Sequence, residues 1–366
     1  MVHVVALWLN YNSSKAWDVV KESLHSVLNL ERGNFDLTIL VIDGGSTDNS
    51  PDLIRKYINE AEAKNRVVIY RLIENKGYAG NMNSGYEYAV NNLGADYVVF
   101  LNNDIIVQVD SLRRLFEWIK KEDYVGIQGL ELRPDGSIGN AGAFHDEFGR
   151  VMLSCTGYSI NECEIDKPYF VTYPSGAYAL YSVDFISDLP GRQPFITETF
   201  MYFDDNYLGL MAWQKSQKVA YVPVIAGVHH GSLTIKSAHG KKAKDASLYI
   251  IMRSKTALWE NIKCKHQKLF KLYKSRIYLM AKLGLLNENV RRGIFDGFKL
   301  AEVVREKIAI IDLEKAVHLE FPTSYYVGQS MIPGFGSIYR AVVKHSTHIR
   351  RLRKYIRYPD WLGLTK

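Results

Sequence analysis

The 366-residue sequence predicts an α/β fold, a mixed and mainly parallel sheet flanked by helices. Short β-branched apolar runs alternate with helix-length amphipathic stretches, the pattern of βαβ units. Each run ends in a polar cluster, where sheets of this kind bind ligands. The composition, 47% hydrophobic and 23% charged, excludes a disordered or collagen-like chain. A chain of this length buries roughly 75% of its unfolded surface, so a core needs no staples.

The elements follow in order. Residues 2–9 form an apolar β-branched strand stopped by Asn10-Tyr11-Asn12. Ala16, Val19, Val20, Leu24, Val27 and Leu28 recur at helical spacing over 15–29. Residues 37–42 are the second strand, ended by Asp43-Gly44-Gly45-Ser46. Polar capping residues at 47–50 and Pro51 then open a helix over 51–63. Residues 67–72 are the third strand, and Gly77 and Gly80 make a tight loop before a helix near 81–92. Residues 97–101 are the fourth strand, ended by Asn102-Asn103-Asp104. A helix follows over 111–121. Residues 125–182 read as short strands added antiparallel to the sheet, with turns at Pro134-Asp135-Gly136 and Glu147-Phe148-Gly149. A helix over 205–218 and a strand over 219–228 complete the pattern. Apolar spacing then predicts helices over 247–285 and 288–307.

Charge divides the chain. Residues 1–235 carry a net −10 and residues 236–366 a net +17, within an overall +7. Three cysteines, Cys155, Cys163 and Cys264, with no C-x-x-C pair, read as a reducing compartment and argue against a thiolate zinc site. No apolar run approaches the ~20 residues of a membrane span. The apolar start lacks a charged leader and reads as a strand, not a signal peptide.

The strand-end clusters carry the chemistry. Asp104 after a buried strand suits a hard divalent cation, because phosphate and water supply its other ligands. Asp43 occupies the equivalent place after the second strand and suits a ribose or base. Gly77 and Gly80 permit close backbone approach, but their spacing is neither the Rossmann nor the P-loop fingerprint. Of the adjacent carboxylates Asp204 and Asp205, one suits a general base. His229-His230 close the strand 219–228, and either suits a metal. Turn, cap or local hydrogen-bonding roles compete for each of these positions.

Their order is more specific than any one of them. The series Leu9-Asn10-Tyr11-Asn12, Val41-Ile42-Asp43-Gly44-Gly45-Ser46-Thr47-Asp48, Glu74-Asn75-Lys76-Gly77-Tyr78-Ala79-Gly80-Asn81, and Phe100-Leu101-Asn102-Asn103-Asp104 resembles family 2 glycosyltransferases of the GT-A fold, in their rhamnosyltransferase-like branch. The likeness runs on through Ser175-Gly176-Ala177, Phe200-Met201-Tyr202-Phe203-Asp204-Asp205 and His229-His230-Gly231-Ser232. Tyr249 to Arg253 and Arg292-Gly293-Ile294-Phe295-Asp296-Gly297 resemble that branch's helical tail.

The resemblance implies a GT-A catalytic domain over 1–235, with a nucleotide-binding half (1–104) and an acceptor-binding half (105–235), and a basic helical region over 236–366. It implies that Leu9, Asn10, Asn12, Asp43, Asn75, Lys76, Gly80, Asn81, Asn102 and Asn103 bind a nucleotide-diphosphate sugar. Asp104 and His229 would hold a divalent metal, Mn or Mg, with His230 left as an alternative ligand. Asp205, beside Asp204, would be the catalytic base of an inverting single displacement. Ser175, Gly176 and Tyr202 would meet a glycan or lipid-linked acceptor. Tyr207, Met211 and the stretch 193–198 depart from the branch's usual residues, in positions that face the acceptor in the family.

The basic region, with interleaved aromatics, suits an anionic membrane surface and hence a cytoplasmic, peripheral location. Two rival classes stand beside the transferase. An inactive nucleotide-sugar-binding protein would keep the loops without turnover. A nucleic-acid-binding protein would use the basic tail but leaves the strand-end acids without a role, so no nucleic acid is expected.

Overall fold

The structure, a computed structural model, describes residues 1–231, 243–332 and 347–364. Ser232 of the histidine motif and parts of the basic region lie outside the described residues.

The first half builds β1 (His3–Asn10), α1 (Trp17–Leu28), β2 (Asp36–Asp43), α2 (Ser50–Glu60), β3 (Arg66–Arg71), α3 (Gly77–Leu93) and β4 (Tyr97–Asn102). Then come β5 (Ile105–Val107), α4 (Ser111–Lys121), β6 (Tyr124–Leu132), β7 (Ile138–Asn140), β8 (Ala143–His145), β9 (Val151–Leu153) and β10 (Tyr169–Phe170). These lead to β11 (Tyr178–Ser182), α5 (Val183–Ser187), α6 (Asp204–Gln214) and β12 (Lys218–His229). The C-terminal region contributes α7 (Ala243–Glu260), β13 (Ile262–Lys263), α8 (Gln267–Lys282), α9 (Glu288–Lys307), β14 (Ile311–Asp312), β15 (His318–Leu319), α10 (Thr323–Met331), α11 (Ile349–Leu352) and β16 (Ile356–Arg357).

A ten-stranded sheet runs in the order β10-β12-β6-β11-β4-β1-β2-β3, with β5 on β12 and β7 on β6. β1 is parallel to β2 and β4, and β2 to β3. β11 is inserted antiparallel between β4 and β6, while β12 runs parallel to β6. This is the mixed, mainly parallel α/β sheet that the alternating pattern predicts, with the antiparallel addition where the turn signals placed it.

Register places the polar clusters. Asn10 pairs with Asp43 and Leu9 with Asn102, so three strand ends finish level. β11 pairs Tyr178 with Leu101, which sets residues 175–177 beside Asn102, and Asn102 N donates to Ala177 O at 3.1 Å. β12 pairs His229 with Ile105 and Gly227 with Glu131, bringing His229 back to Asp104.

Apolar residues pack on both faces of the sheet. One cluster joins β1, β2 and β4 to α1 and α4, whose Leu112, Leu115, Phe116 and Ile119 recur at helical spacing. The other continues from Met82 and Phe100 through Trp213 to Trp259, Phe270 and Tyr326 of the C-terminal region.

Three local expectations change. The helix expected near residue 81 begins at Gly77, because Asn75 Oδ1 accepts from Gly77 N at 2.9 Å and turns the glycine loop into its first turn. The helix expected over 247–285 is broken at β13, which pairs Ile262 with Ile311. Cys155 and Cys163 form a disulfide, with Cα atoms 6.3 Å apart, a pairing not expected from the sequence: spacing along the chain does not show that the turns after β9 bring two thiols together. Cys264 is a buried thiol.

Candidate active site

One cavity of about 970 Å³ lies at the strand ends. Leu9, Asn12, Asn75, Asn81, Asn102, Asn103 and Asp104 form its floor. Ser175, Gly176, Tyr202, Asp204, Asp205 and His229 complete the expected residues found on its walls.

The remaining four expected donor residues do not line it. Asn10 is fully buried behind the floor, where Nδ2 donates to Asp43 Oδ1 at 3.0 Å. Asp43 Oδ2 lies 3.4 Å from Arg71 Nε and accepts from Ser46 N at 3.2 Å. A buried carboxylate held by an arginine and a turn is a support for the loop above it. Gly80 faces the Lys76 and Thr197 side chains, and Lys76 donates its backbone N to Asn81 Oδ1 at 3.0 Å. Asn81 Nδ2 in turn reaches Asn75 Oδ1 at 3.0 Å, so the donor loop is cross-tied by side-chain amides.

Asp104 is 4% exposed. His229 bridges it to a second acid: Nε2 lies 3.1 Å from Asp104 Oδ1 and Nδ1 3.5 Å from Glu131 Oε2. Burial disfavours the charged imidazole, but hydrogen bonds to Asp104 and Glu131 outweigh it and raise the His229 pKa to about 10. A proton thus sits between two carboxylates. Glu131 Oε1 is buried and finds no partner among the described residues. The two acids and the unsatisfied Glu131 oxygen are donors of the kind a divalent cation takes, and the imidazole becomes a ligand only on giving up one of its ring protons. Glu131 was invisible in the sequence, since only the β6–β12 register brings it here. His230 is set apart from His229: its backbone N donates to Asp104 O at 2.9 Å.

Asp205 faces the cavity from the first turn of α6. Its Oδ2 accepts from Gly176 N at 3.0 Å, and Oδ1 from Asn206 N and Nδ2 at 2.9 and 2.6 Å. Burial nonetheless raises its pKa. Two supports behind it were missed by sequence reasoning. Tyr78 OH donates to Gly176 O at 2.8 Å. His145 Nε2 meets Asn206 Oδ1 at 2.7 Å, and burial lowers the His145 pKa to about 4, so this ring is neutral near pH 7. The sequence offers no signal that His145 stands behind Asp205. Asp204 is buried, accepts from Thr199 Oγ1, and has its pKa raised by burial to about 8.

The segment before these acids is strained. Phe200, Tyr202 and Phe203 have φ of 65°, 67° and 67°, a region that bulky residues rarely occupy. It is held by contacts on both sides. Gly77, at φ 73°, admits Phe200 O so closely that a Cβ there would sit 2.3 Å from it. Arg253 of α7 donates Nη2 to Glu198 O and Thr199 O at 2.8 and 2.7 Å.

α7 also forms the far wall, with Ala246, Ser247, Ile250, Ile251 and Lys255 lining the cavity. α9 fixes α7 in turn: Gly293 and Gly297 allow it to approach Tyr249 and Arg253, and Tyr249 OH donates to Asp296 Oδ2 at 3.0 Å. Tyr207 and Met211, expected to face the acceptor, are buried in the core and do not line the cavity. In α6 only the first turn reaches the cavity, so later turns pack inward.

Residues 9–151 match the family model "Glycosyl transferase family 2". An uncharacterised glycosyltransferase of Nostoc is 30% identical over 118 residues, 32% of this chain and 33% of that protein. A poly-beta-1,6-N-acetyl-D-glucosamine synthase of Staphylococcus aureus is 32% identical over 116 residues, 32% of this chain and 25% of the synthase. These matches span about a third or less of the relatives' own length. Among solved structures, S. aureus TarS 1-349 in complex with UDP aligns with TM-score 0.45 and 15% identity over 84% of this chain and 92% of that one. A Pyrobaculum calidifontis mannosyltransferase in complex with GDP-Man and Mn2+ aligns with TM-score 0.46 and 13% identity over 96% and 85%.

Proposed function

We propose that the chain is an inverting glycosyltransferase of the hexosyltransferase type, in the rhamnosyltransferase-like branch. It moves a sugar from a nucleotide-diphosphate donor to a hydroxyl of a glycan or lipid-linked acceptor. One observation carries this reading: Asp104 and Asp205 line the same cavity, with the amide-rich floor beside one and the α7 wall beside the other. The family match over residues 9–151 supports it.

The donor's nucleoside lies against Leu9, Tyr11 and Asn12, and its diphosphate lies by Asn75, Asn81 and Asn102. Asp104, and His229 once it gives up a ring proton, would hold Mn or Mg, with Glu131 behind them. When bound, this ion offsets the charge that develops on the leaving diphosphate. An acceptor hydroxyl is a poor nucleophile at neutral pH. Asp205 accepts its proton as the new bond forms, and its burial-raised pKa brings it closer to the working pH. Gly176 N, Asn206 and Tyr78 keep that carboxylate aimed while the hydroxyl attacks the anomeric carbon from the face opposite the diphosphate. No covalent sugar–enzyme bond is needed.

Calorimetry against a panel of nucleoside diphosphates, with and without Mn²⁺ or Mg²⁺, tests the donor reading. Binding of one nucleotide that strengthens with metal is expected; no binding by any of them overturns it.

The lipid-linked acceptor and a peripheral site on the cytoplasmic membrane face rest on α8. Leu272, Leu279, Leu283 and Leu285 are exposed on and just after it, in a stretch that also exposes Lys268, Lys271 and Lys282. Exposed leucines among lysines suit an anionic bilayer surface. No helix among the described residues is long and apolar enough to cross a membrane. Co-sedimentation of the full chain with anionic vesicles, but not neutral ones, is the expected result.

A further inference from the structure

Away from the cavity, three metal-ligand-type side chains meet where the catalytic half touches the C-terminal region. Glu147 stands in the turn after β8, Glu314 in the turn after β14, and His318 in β15. Each offers an atom within 4.8 Å of the other two. None of them belongs to the donor site. In the sequence, Glu147 reads only as part of a turn.

His318 is 0% exposed. Its Nδ1 lies 2.9 Å from Ala316 O, and a carbonyl only accepts. In the neutral ring the proton therefore sits on Nδ1, and Nε2 presents a lone pair. That nitrogen is buried and has no hydrogen-bond partner among the described residues. It lies 3.9 Å from Glu314 Oε1, too far for a hydrogen bond. A buried acceptor without a donor is a cost to the fold unless something fills the gap.

Glu147 is equally buried, at 0% exposure. His266 supports it twice, from backbone N at 3.2 Å and from Nδ1 at 2.5 Å. Each oxygen of a carboxylate can accept more than one bond, so Glu147 keeps capacity for a cation. Ligating carboxylates are commonly held in this way by a second group. Glu314 has a side chain 42% exposed, which gives an ion a way in.

We propose that Glu147, Glu314 and His318 bind a divalent transition-metal ion of the zinc type, separate from the donor-site cation. The ion clips the C-terminal region to the catalytic half. Imidazole with carboxylates favours zinc over magnesium or calcium. Tetrahedral zinc with bonds of ~2.1 Å places its donors ~3.4 Å apart, so the cluster closes inward by about 1 Å on binding, with water as a fourth ligand. Glu314, the exposed member, has room to make that movement. This site does not depend on the proposed donor or acceptor.

The test uses the full chain stripped with EDTA, in an Asp104→Asn background that weakens the donor-site ion. Zinc chloride is the probe. Metal content after gel filtration and the zinc-dependent shift in Tm are read together. One zinc per chain and a higher Tm are expected. Glu314→Gln, an exposed and isosteric change, should weaken zinc binding by at least ~10-fold and shrink the Tm shift. His318→Gln should do the same. Because His318 is buried and that variant is open to misfolding, Glu314→Gln decides. Absence of zinc from the Asp104→Asn protein overturns the proposal, as do equal zinc content and Tm shift with and without Glu314→Gln.

Discussion

The floor of the cavity and its far wall are put together differently. The floor is a row of strand ends. β1, β2 and β4 finish level because their parallel register makes them do so, and amides of Asn10, Asn75 and Asn81 tie the loops above. The wall is assembled from segments far apart in the chain: residues 149–151, the strained stretch before Asp204, and α7. Nothing in their local sequence fixes their mutual positions. Arg253, Gly293, Gly297 and Gly77 do so through tertiary contacts. A change on the floor should therefore act on the donor alone, while a change behind the wall should reach the acceptor from a distance.

The largest break in that comparison should come from the residue on the boundary between the two. Asp205→Asn keeps the side-chain shape but removes the base and sets an NH2 group against the Gly176 or Asn206 donors, and should lower kcat by about 10²–10⁴. Donor affinity, followed by calorimetry, should stay within a factor of a few. Asp104→Ala should act on the floor instead, weakening metal-dependent donor binding by at least ~10-fold while metal-free nucleotide affinity changes little. A third variant tests the wall. At Gly297 a Cβ would sit 2.6 Å from Thr256 Cβ and 2.7 Å from Arg253 O. Gly297→Ala should push α9 away from α7 and cost about 1–3 kcal/mol of stability by overpacking. Acceptor KM should rise with donor Kd unchanged. Equal effects on both substrates would mean that wall and floor are one unit.

The same division explains what could be read in advance. Alternating apolar runs and polar stops announce a parallel sheet and its polar edge, so β1 to β4 and the position of Asp104 just past a strand end are legible in the sequence. Asp43 and Asn10 belong to the expected edge but lie one layer behind the ligand-facing floor, because position along a strand does not say whether a polar side chain faces ligand or supports the next loop. Glu131 and His145 gave no signal, because each acts through a partner that only long-range pairing supplies. Tyr207 and Met211 were expected at the acceptor, yet α6 is buried on almost all sides and admits the cavity only at its first turn. The disulfide was missed for the same reason as Glu131.

Asp204 should give the smallest effect, although it adjoins the proposed base. Burial raises its pKa to about 8, and Thr199 Oγ1 donates to Oδ1. Near pH 7 it is therefore mostly a neutral acid, and Asp204→Asn exchanges one neutral acceptor for another of the same shape. Its kcat near pH 7 should stay within a few-fold of the parent, in contrast to Asp205→Asn. The difference should appear in stability against pH. Unfolded, this aspartate releases its proton near 3.8, whereas the folded protein retains it until about 8. Between those values the native state binds more protons, so its contribution favours the fold at low pH and is lost as pH rises toward 8. Urea midpoints from pH 4 to 8 should fall more steeply for the parent than for Asp204→Asn. Above pH 7 a further decline should remain in both proteins without metal, because His229 stays protonated up to about 10 in the fold. Parallel slopes for the two proteins would place Asp204 on the ionised side of its titration. It would then be a second candidate for the base.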